Sequence, residues 1–198
     1  MLRIISGKFK RQYLETPPDE KTTRPYTARV RESVFNLLRG WFEDATVLDL
    51  FAGVGTMGLE AVSRGAREVV MVEMDRRMGS ILQRNIDTLG CAQEAFLVRA
   101  DALGPQALAQ APRDCDVVFI DPPYQLWENS LTRPRIIDLL ARVPAYMKQK
   151  SFLVLRTPLP WDESVVIPGL DGPETHEYGP DMFVHLFAPS LPEEDSAE

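Results

Sequence analysis

Cysteine and histidine are scarce in this sequence. Two of each occur among 198 residues, Cys91, Cys115, His176 and His185. That supply, so widely spaced, excludes a disulfide framework and the usual Cys/His metal clusters, so no metal ligands are expected. No stretch approaches the roughly 20 apolar residues of a membrane-spanning helix, so no membrane partner is expected. The first twenty residues carry Arg3, Lys8, Lys10 and Arg11 without an apolar run, which argues against a signal peptide. A reducing cytoplasm is the expected compartment. There is no overall surplus of positive charge: the formal net charge is −7, so the chain is not coated with basic side chains. It has no internal repeat.

The chain is 44% hydrophobic and 26% charged, an ordinary balance for a globular protein. Its length suits one α/β domain with a small appendage, and a monomer is expected. Charge is unevenly spread. Residues 1–40 hold nine basic side chains (Arg3, Lys8, Lys10, Arg11, Lys21, Arg24, Arg29, Arg31, Arg39) against four acids (Glu15, Asp19, Glu20, Glu32). A basic patch on an acidic body suits a polyanion. A solvated surface segment explains the same charges, and both readings stay open on charge alone.

Residues 2–6 and 9–15 read as two short strands around Gly7-Lys8, an N-terminal hairpin. Pro, Thr and charge over 16–26 read as a loop. Val30, Val34, Leu37, Leu38 and Trp41 recur at helical spacing, which predicts a helix over 28–41 with Arg29 and Arg31 available near its start. Strands are then expected at 45–51, 68–73, 95–99, 116–120 and 151–156. Helices are expected after the Gly-rich turn, after Asp75 (closed by Gly90), over 102–110 and over 134–146. Segments 164–167 and 182–187 are candidates for a closing antiparallel pair. Alternating strands and helices predict a doubly wound, mostly parallel sheet, with ligands beyond the carboxyl ends of its strands.

The first chemical motif is Asp49-Leu50-Phe51-Ala52-Gly53-Val54-Gly55-Thr56-Met57-Gly58, between a strand and a helix. Its glycines allow a sharp turn and close approach of a ligand to backbone. Glu73 ends the next strand, where an acid can accept both ribose hydroxyls of a nucleotide cofactor. Gly53, Gly55 and Gly58 satisfy the dinucleotide spacing, so spacing does not separate NAD from S-adenosylmethionine. The acid before the glycines favours S-adenosylmethionine, because an anionic Asp49 suits a cationic cofactor and not a pyrophosphate. Phe51, Ala52, Gly53 and Gly55 would line that cofactor. Asp101, past the third strand, is placed either for the adenine amino group or as a helix cap.

The second motif is Asp121-Pro122-Pro123-Tyr124, directly after the strand at 116–120. Two prolines stiffen the backbone and remove two N–H donors. The Asp121 carboxylate and the Pro122 carbonyl can each take one hydrogen of an exocyclic amine, aiming its lone pair at a sulfonium methyl group. Tyr124 can stack on the base, a contact of roughly 1–3 kcal/mol. A bare turn explains Asp-Pro-Pro alone. The glycine loop expected on the same sheet edge favours amine methylation.

These residues carry a family resemblance. RIISGKFK (3–10), TRPYTARVRESVFNLL (23–38), VLDLFAGVGTMGLEAVSRGA (47–66) and DPPY (121–124) together resemble the RsmD family of small-subunit ribosomal RNA guanine 2-amino methyltransferases. The resemblance implies a Rossmann-like class I methyltransferase fold: a seven-stranded, mostly parallel sheet with a small N-terminal hairpin extension. It implies S-adenosylmethionine as donor and ribosomal RNA, or an assembling small subunit, as partner. The expected division is a basic extension (1–26), a methyltransferase domain (27–190) and, from its acidic composition, a disordered tail (191–198). Arg3, Lys8, Lys10, Arg24, Arg29 and Arg31 are then expected to meet RNA phosphates or shape the guanine pocket, with a packing role as the alternative for Arg24 and Arg29.

Where the family usually reads Arg-Pro-Thr-x-Asp-Arg-Val-Arg-Glu, this chain has Tyr26 and Ala28, and Ala28 removes an acid beside the expected site. His176 precedes the family's Tyr-Gly pair, here Tyr178-Gly179. Residues 125–134, which include Trp127, read as a substrate lid or a surface loop. Three rivals are weaker. A DNA adenine methyltransferase usually needs a recognition domain for which 198 residues leave no room. A protein-glutamine methyltransferase typically places Asn before the two prolines. A catalytically silent RNA-binding assembly factor would be expected to lose Asp121 or the glycines.

Overall fold

The computed structural model describes residues 2–18 and 27–191. Arg24, part of the loop expected at 16–26, and most of the expected acidic tail lie outside the described residues. The expected hairpin forms, but its strands are short: β1 (Leu2–Arg3) pairs antiparallel with β2 (Tyr13–Leu14). The intervening N–H groups have other partners. Those of Ile5 and Ser6 donate to the Glu60 carboxylate at 2.7 and 3.0 Å. Those of Lys8 and Phe9 donate to the backbone oxygen and hydroxyl of Ser63 at 2.7 and 2.9 Å. Gly7 is required there. It has φ +79°, and a Cβ would come within 1.7 Å of the Ser63 carbonyl oxygen.

Helix α1 (Ala28–Leu37) starts at a Thr27 cap and stops four residues short of the expected end. Then come β3 (Thr46–Leu50), α2 (Thr56–Ser63), β4 (Glu68–Val72), α3 (Arg76–Leu89), β5 (Ala95–Val98), α4 (Pro105–Ala109) and β6 (Cys115–Ile120). Asp75 caps α3 by accepting from the N–H groups of Arg77 and Met78, and Gly90 ends it in the left-handed conformation. Next are α5 (Tyr124–Glu128), α6 (Arg133–Arg142), a 3-10 turn at Val143–Tyr146, β7 (Met147–Thr157), β8 (Leu170–Gly179) and β9 (Met182–Pro189).

One expectation is corrected. Residues 164–167 form no strand; the partner of β9 is β8, at 170–179. Asp162 accepts from the N–H and hydroxyl of Ser164 at 3.0 and 2.6 Å, a local turn that competes with strand pairing. Segment 170–179 escaped the periodicity reading because it is an edge strand with mostly polar side chains.

The large sheet runs β5-β4-β3-β6-β7-β9-β8, parallel from β5 to β7 and antiparallel beyond. The chain winds outward from β3 through β4 and β5, then crosses to β6 on the other side of β3. The switch point lies between β3 and β6. Alternate strand residues feed two cores. Val47, Met71, Val117, Phe119 and Val154 pack with α1, α2 and α3, while Leu48, Leu50, Val72, Ile120 and Leu155 pack on the opposite face with α6. The hairpin contributes Ile4 and Leu14 to the first core. No helix among the described residues is long and apolar enough to cross a membrane.

Glu60 is fully buried and also accepts from Arg64 Nε at 2.9 Å, so it ties the hairpin to α2. Removing a buried ionic partner costs about 3–5 kcal/mol. Glu60→Ala is expected to lower stability by about that amount in urea unfolding and to raise hydrogen exchange at Ile5 and Ser6. An unchanged unfolding midpoint contradicts this role.

Candidate active site at the switch point

Register brings the two motifs together. Asp49 pairs with Phe119 and Leu50 with Ile120. The Asp121 N–H then donates to the Leu50 carbonyl at 3.3 Å, so the Asp-Pro-Pro corner begins beside the glycine corner. Phe51, with φ +69°, is a non-glycine residue in the left-handed region at this turn. Such outliers cost of order 1–3 kcal/mol and concentrate at functional sites. Ala52 is buried and its N–H donates to the Val72 carbonyl at 2.9 Å. Gly53 and Gly55 both have positive φ. A Cβ on Gly53 would meet nothing within 4 Å, so open space lies there; on Gly58 it would strike the Met71 sulfur at 2.5 Å, so Gly58 serves helix–sheet packing.

Glu73 lies at the end of β4 as expected. One carboxylate oxygen accepts from the Gly53 N–H and the other from the Asp75 N–H, both at 2.7 Å. These bonds fix the carboxylate beside the glycine turn and leave lone pairs for ribose hydroxyls. Burial raises its pKa, opposed by the Asp75 and Gly53 N–H bonds.

Asp49 is more enclosed than expected. It is 1% exposed and accepts from the Gly58 N–H at 2.9 Å. Burial pushes its carboxyl up to about 8, with Asp121 and Glu73 adding to the rise. Asp49 is therefore largely protonated near neutrality in the unliganded chain, instead of the standing anion expected. A bound cation beside the open glycine turn would favour the ionised form of Asp49, which adds to the negative field of Glu73, so the residues present fit S-adenosylmethionine.

Asp101 accepts from the Leu103 N–H at 2.9 Å and pairs with Arg135 of α6 at 3.5 Å. It therefore caps the turn before α4, and α4 itself begins only at Pro105. Tyr124 opens α5, a helix the sequence reading missed. Segment 125–134 is not a free loop: Trp127 is 4% exposed, packs near Trp161 at 6.3 Å and lies under Arg133.

Several contributors had escaped notice. Arg156, at the end of β7, donates to Asp121 at 2.5 Å and sits 5.3 Å over the Tyr124 ring. Its signal was a lone cation ending an apolar strand. Asn85 of α3 accepts from the Glu15 N–H and donates to the Val54 carbonyl, tying the segment after the hairpin to the glycine loop. A buried asparagine inside a helical stripe offers no sequence signal of its own.

The basic residues separate. Arg3, Lys8, Lys10 and Arg29 are exposed. Lys8 pairs with Glu94 at 2.5 Å. Arg3 and Lys10, with Arg11 and Glu32, line a cleft of about 460 Å³ on the hairpin. Arg31 is a correction. It is 1% exposed and donates to the Arg3 carbonyl, so it supports the hairpin from inside and is not available to a phosphate.

The family pattern described as conserved hypothetical protein 95 matches residues 2–185. The chain belongs to this family, the RsmD family. A ribosomal RNA small subunit methyltransferase D of Escherichia coli K12 is 42% identical over 124 residues, covering 63% of this chain and 61% of that protein. The matched part thus spans less than two thirds of that relative. The protein of the same name from Haemophilus influenzae is 33% identical over 147 residues, covering 69% of this chain and 76% of the relative. A solved structure of Escherichia coli yhhF, described as a candidate methyltransferase, superposes with a TM-score of 0.78 at 29% identity, covering 96% of this chain and 98% of that one. In this RsmD-family chain, the RIISGK and GLEA-x-SRGA motifs bind one another through Glu60 and Ser63.

The Asp49 carboxyl, raised to about 8, makes the folded chain retain a proton that the unfolded chain releases. Its contribution to stability is full below the ordinary aspartate range, declines as pH rises and is gone above about 8. The melting temperature of Asp49→Asn relative to the parent is expected to rise from pH 5 to pH 8 in the unliganded chain. A pH-independent difference contradicts the assignment.

Proposed function

We propose that the chain transfers a methyl group from S-adenosylmethionine to the exocyclic 2-amino group of a guanine in small-subunit ribosomal RNA. The observation that carries this reading is the junction of the two corners through the Asp121 N–H and the Leu50 carbonyl. The names of the relatives support ribosomal RNA as substrate. The choice of the guanine 2-amino group rests on the family resemblance.

In this reading Glu73 holds the ribose, Asp101 lies toward the adenine, and Asp49 with Phe51, Ala52, Gly53 and Gly55 encloses the remainder of the cofactor. When bound, the cofactor supplies a methyl group on a positively charged sulfur, an activated electrophile. Asp121 and the Pro122 carbonyl each accept one amine hydrogen and point the nitrogen lone pair at the methyl carbon. With the cofactor bound, Asp121 would be the group placed to take the proton that the nitrogen releases after it is methylated, directly or by way of solvent. Asp121 faces the positive charge that develops on nitrogen, so positioning and electrostatics supply most of the rate. In this reading the Tyr124 ring stacks on an extruded base.

Arg3, Lys8, Lys10 and Arg29 form the RNA-facing side, with Arg24 added to it from the sequence. These contacts would hold phosphates and set register without reading bases. The substrate is ribosomal RNA or an assembling small subunit, the compartment cytoplasmic, and the chain monomeric.

Labelled S-adenosylmethionine offered with small-subunit particles from a deletion strain is expected to place label in guanine. Label only in adenine or in protein rejects the reading. Asp121→Asn is expected to reduce transfer on the order of a hundredfold while cofactor affinity, measured by calorimetry, is retained. Loss of cofactor binding in a folded variant moves Asp121 into the cofactor site. For RNA affinity, Arg29→Ala is expected to reduce the slope of log K against log salt by about one. An unchanged slope leaves Arg29 a packing role.

A further inference from the structure

The charged groups at the switch point share one face of the sheet. Val47, Phe119 and Val154 all enter the core beneath α1 and α2. Two residues on from each stand Asp49 in β3, Asp121 one residue past the end of β6, and Arg156 in β7, the two strand residues on that same face by alternation. Ile120 pairs with Leu155, so Asp121 and Arg156 are neighbours across β6 and β7. Their side chains are only 18% and 6% exposed, with Arg156 Nε 2.5 Å from Asp121. The same guanidinium lies over the Tyr124 ring at 5.3 Å.

A pair this enclosed is a poor device for stability. Desolvating two charges costs several kcal/mol per ion, and apolar replacements are often neutral or better. The arrangement instead constrains geometry. A planar guanidinium can hold a carboxylate edge and an aromatic face at once, which an ammonium on a flexible stem does not. Asp121 and Tyr124, both in contact with it, are the side chains assigned above to the amine and to the base.

We propose that Arg156 is a positioning residue: it fixes the Asp121 side chain and the Tyr124 ring as one rigid receptor for the target base. This rests on the function proposed above. The charged groups that bear on this site are Arg156 from β7, paired with Asp121, and Asp49 from β3, which both Asp121 and Glu73 at the end of β4 act on. Burial raises the Asp121 carboxyl, and Arg156 is the charge that opposes the rise. Asp49 and Glu73 are acids and cannot replace it.

The test compares Arg156→Met and Arg156→Lys with the parent and with Asp121→Asn. The readouts are kcat, KM for each substrate, the acid limb of the pH–rate profile and melting temperature. Arg156→Met is expected to lower kcat on the order of a hundredfold, leave KM for S-adenosylmethionine unchanged and move the acid limb to higher pH. Arg156→Lys should return the acid limb toward the parent without restoring kcat fully. Parent-like kcat and acid limb in both variants overturn the proposal and leave the function standing. If Arg156→Met fails to fold, Arg156→Lys decides alone: a folded variant with parent kcat overturns it.

Full activity in Asp121→Asn sinks the functional reading instead. The Arg156 contact is then judged on the unliganded chain, by carbon NMR titration of the Asp121 carboxyl. Titration at higher pH in the variants supports the contact, and an unchanged titration rejects it.

Discussion

Two strands that are not consecutive in the chain lie side by side at the centre of the sheet, β3 and β6, in a register that sets Leu50 beside Ile120. Because each strand breaks one residue later, that register also joins the two turns that follow them. A slip of one residue would turn every side chain of β6 to the other face, taking Asp121 away from the glycine turn and Val117 and Phe119 out of their core. The apolar alternation that fills the two cores therefore also aims the carboxylates. Packing and chemistry depend on the same pairing.

The hairpin is held by a different principle. Its backbone N–H groups are satisfied by two side chains of α2, Glu60 and Ser63, instead of by a longer strand ladder. Arg31 completes the arrangement from within by donating to the Arg3 carbonyl. An otherwise marginal two-stranded element is thereby fastened to the domain, with Arg3, Lys8 and Lys10 left outward. That gives the positive end of an acidic molecule a defined place, as the proposed RNA contact requires.

Much of this was legible from the residues alone. Continuous apolar runs announced β3, β4 and β6, because strands covered on both faces need them. Asp75 and Gly90 marked the ends of α3 by their capping chemistry. Glu73 and Asp121 were located by their places after strands. Where reading failed, the cause lay in partners distant in sequence. The edge strand β8 has few apolar residues to count. Arg31 looks like any other surface cation until the hairpin closes over it. Arg156 lies 35 residues from Asp121, and only the β6–β7 pairing brings them together. Asp49 was found but its charge state was not, since burial and two neighbouring acids decide that.

The central claim is that the glycine turn and the diproline corner form one site, with a donor in the first facing an acceptor in the second. A crystal structure of the chain with S-adenosylhomocysteine tests it most directly. The account predicts ribose hydroxyls on Glu73 and the cofactor sulfur facing Asp121 and Pro122 across a gap wide enough for a purine. A ligand bound elsewhere, or a sulfur turned away from that corner, would contradict it.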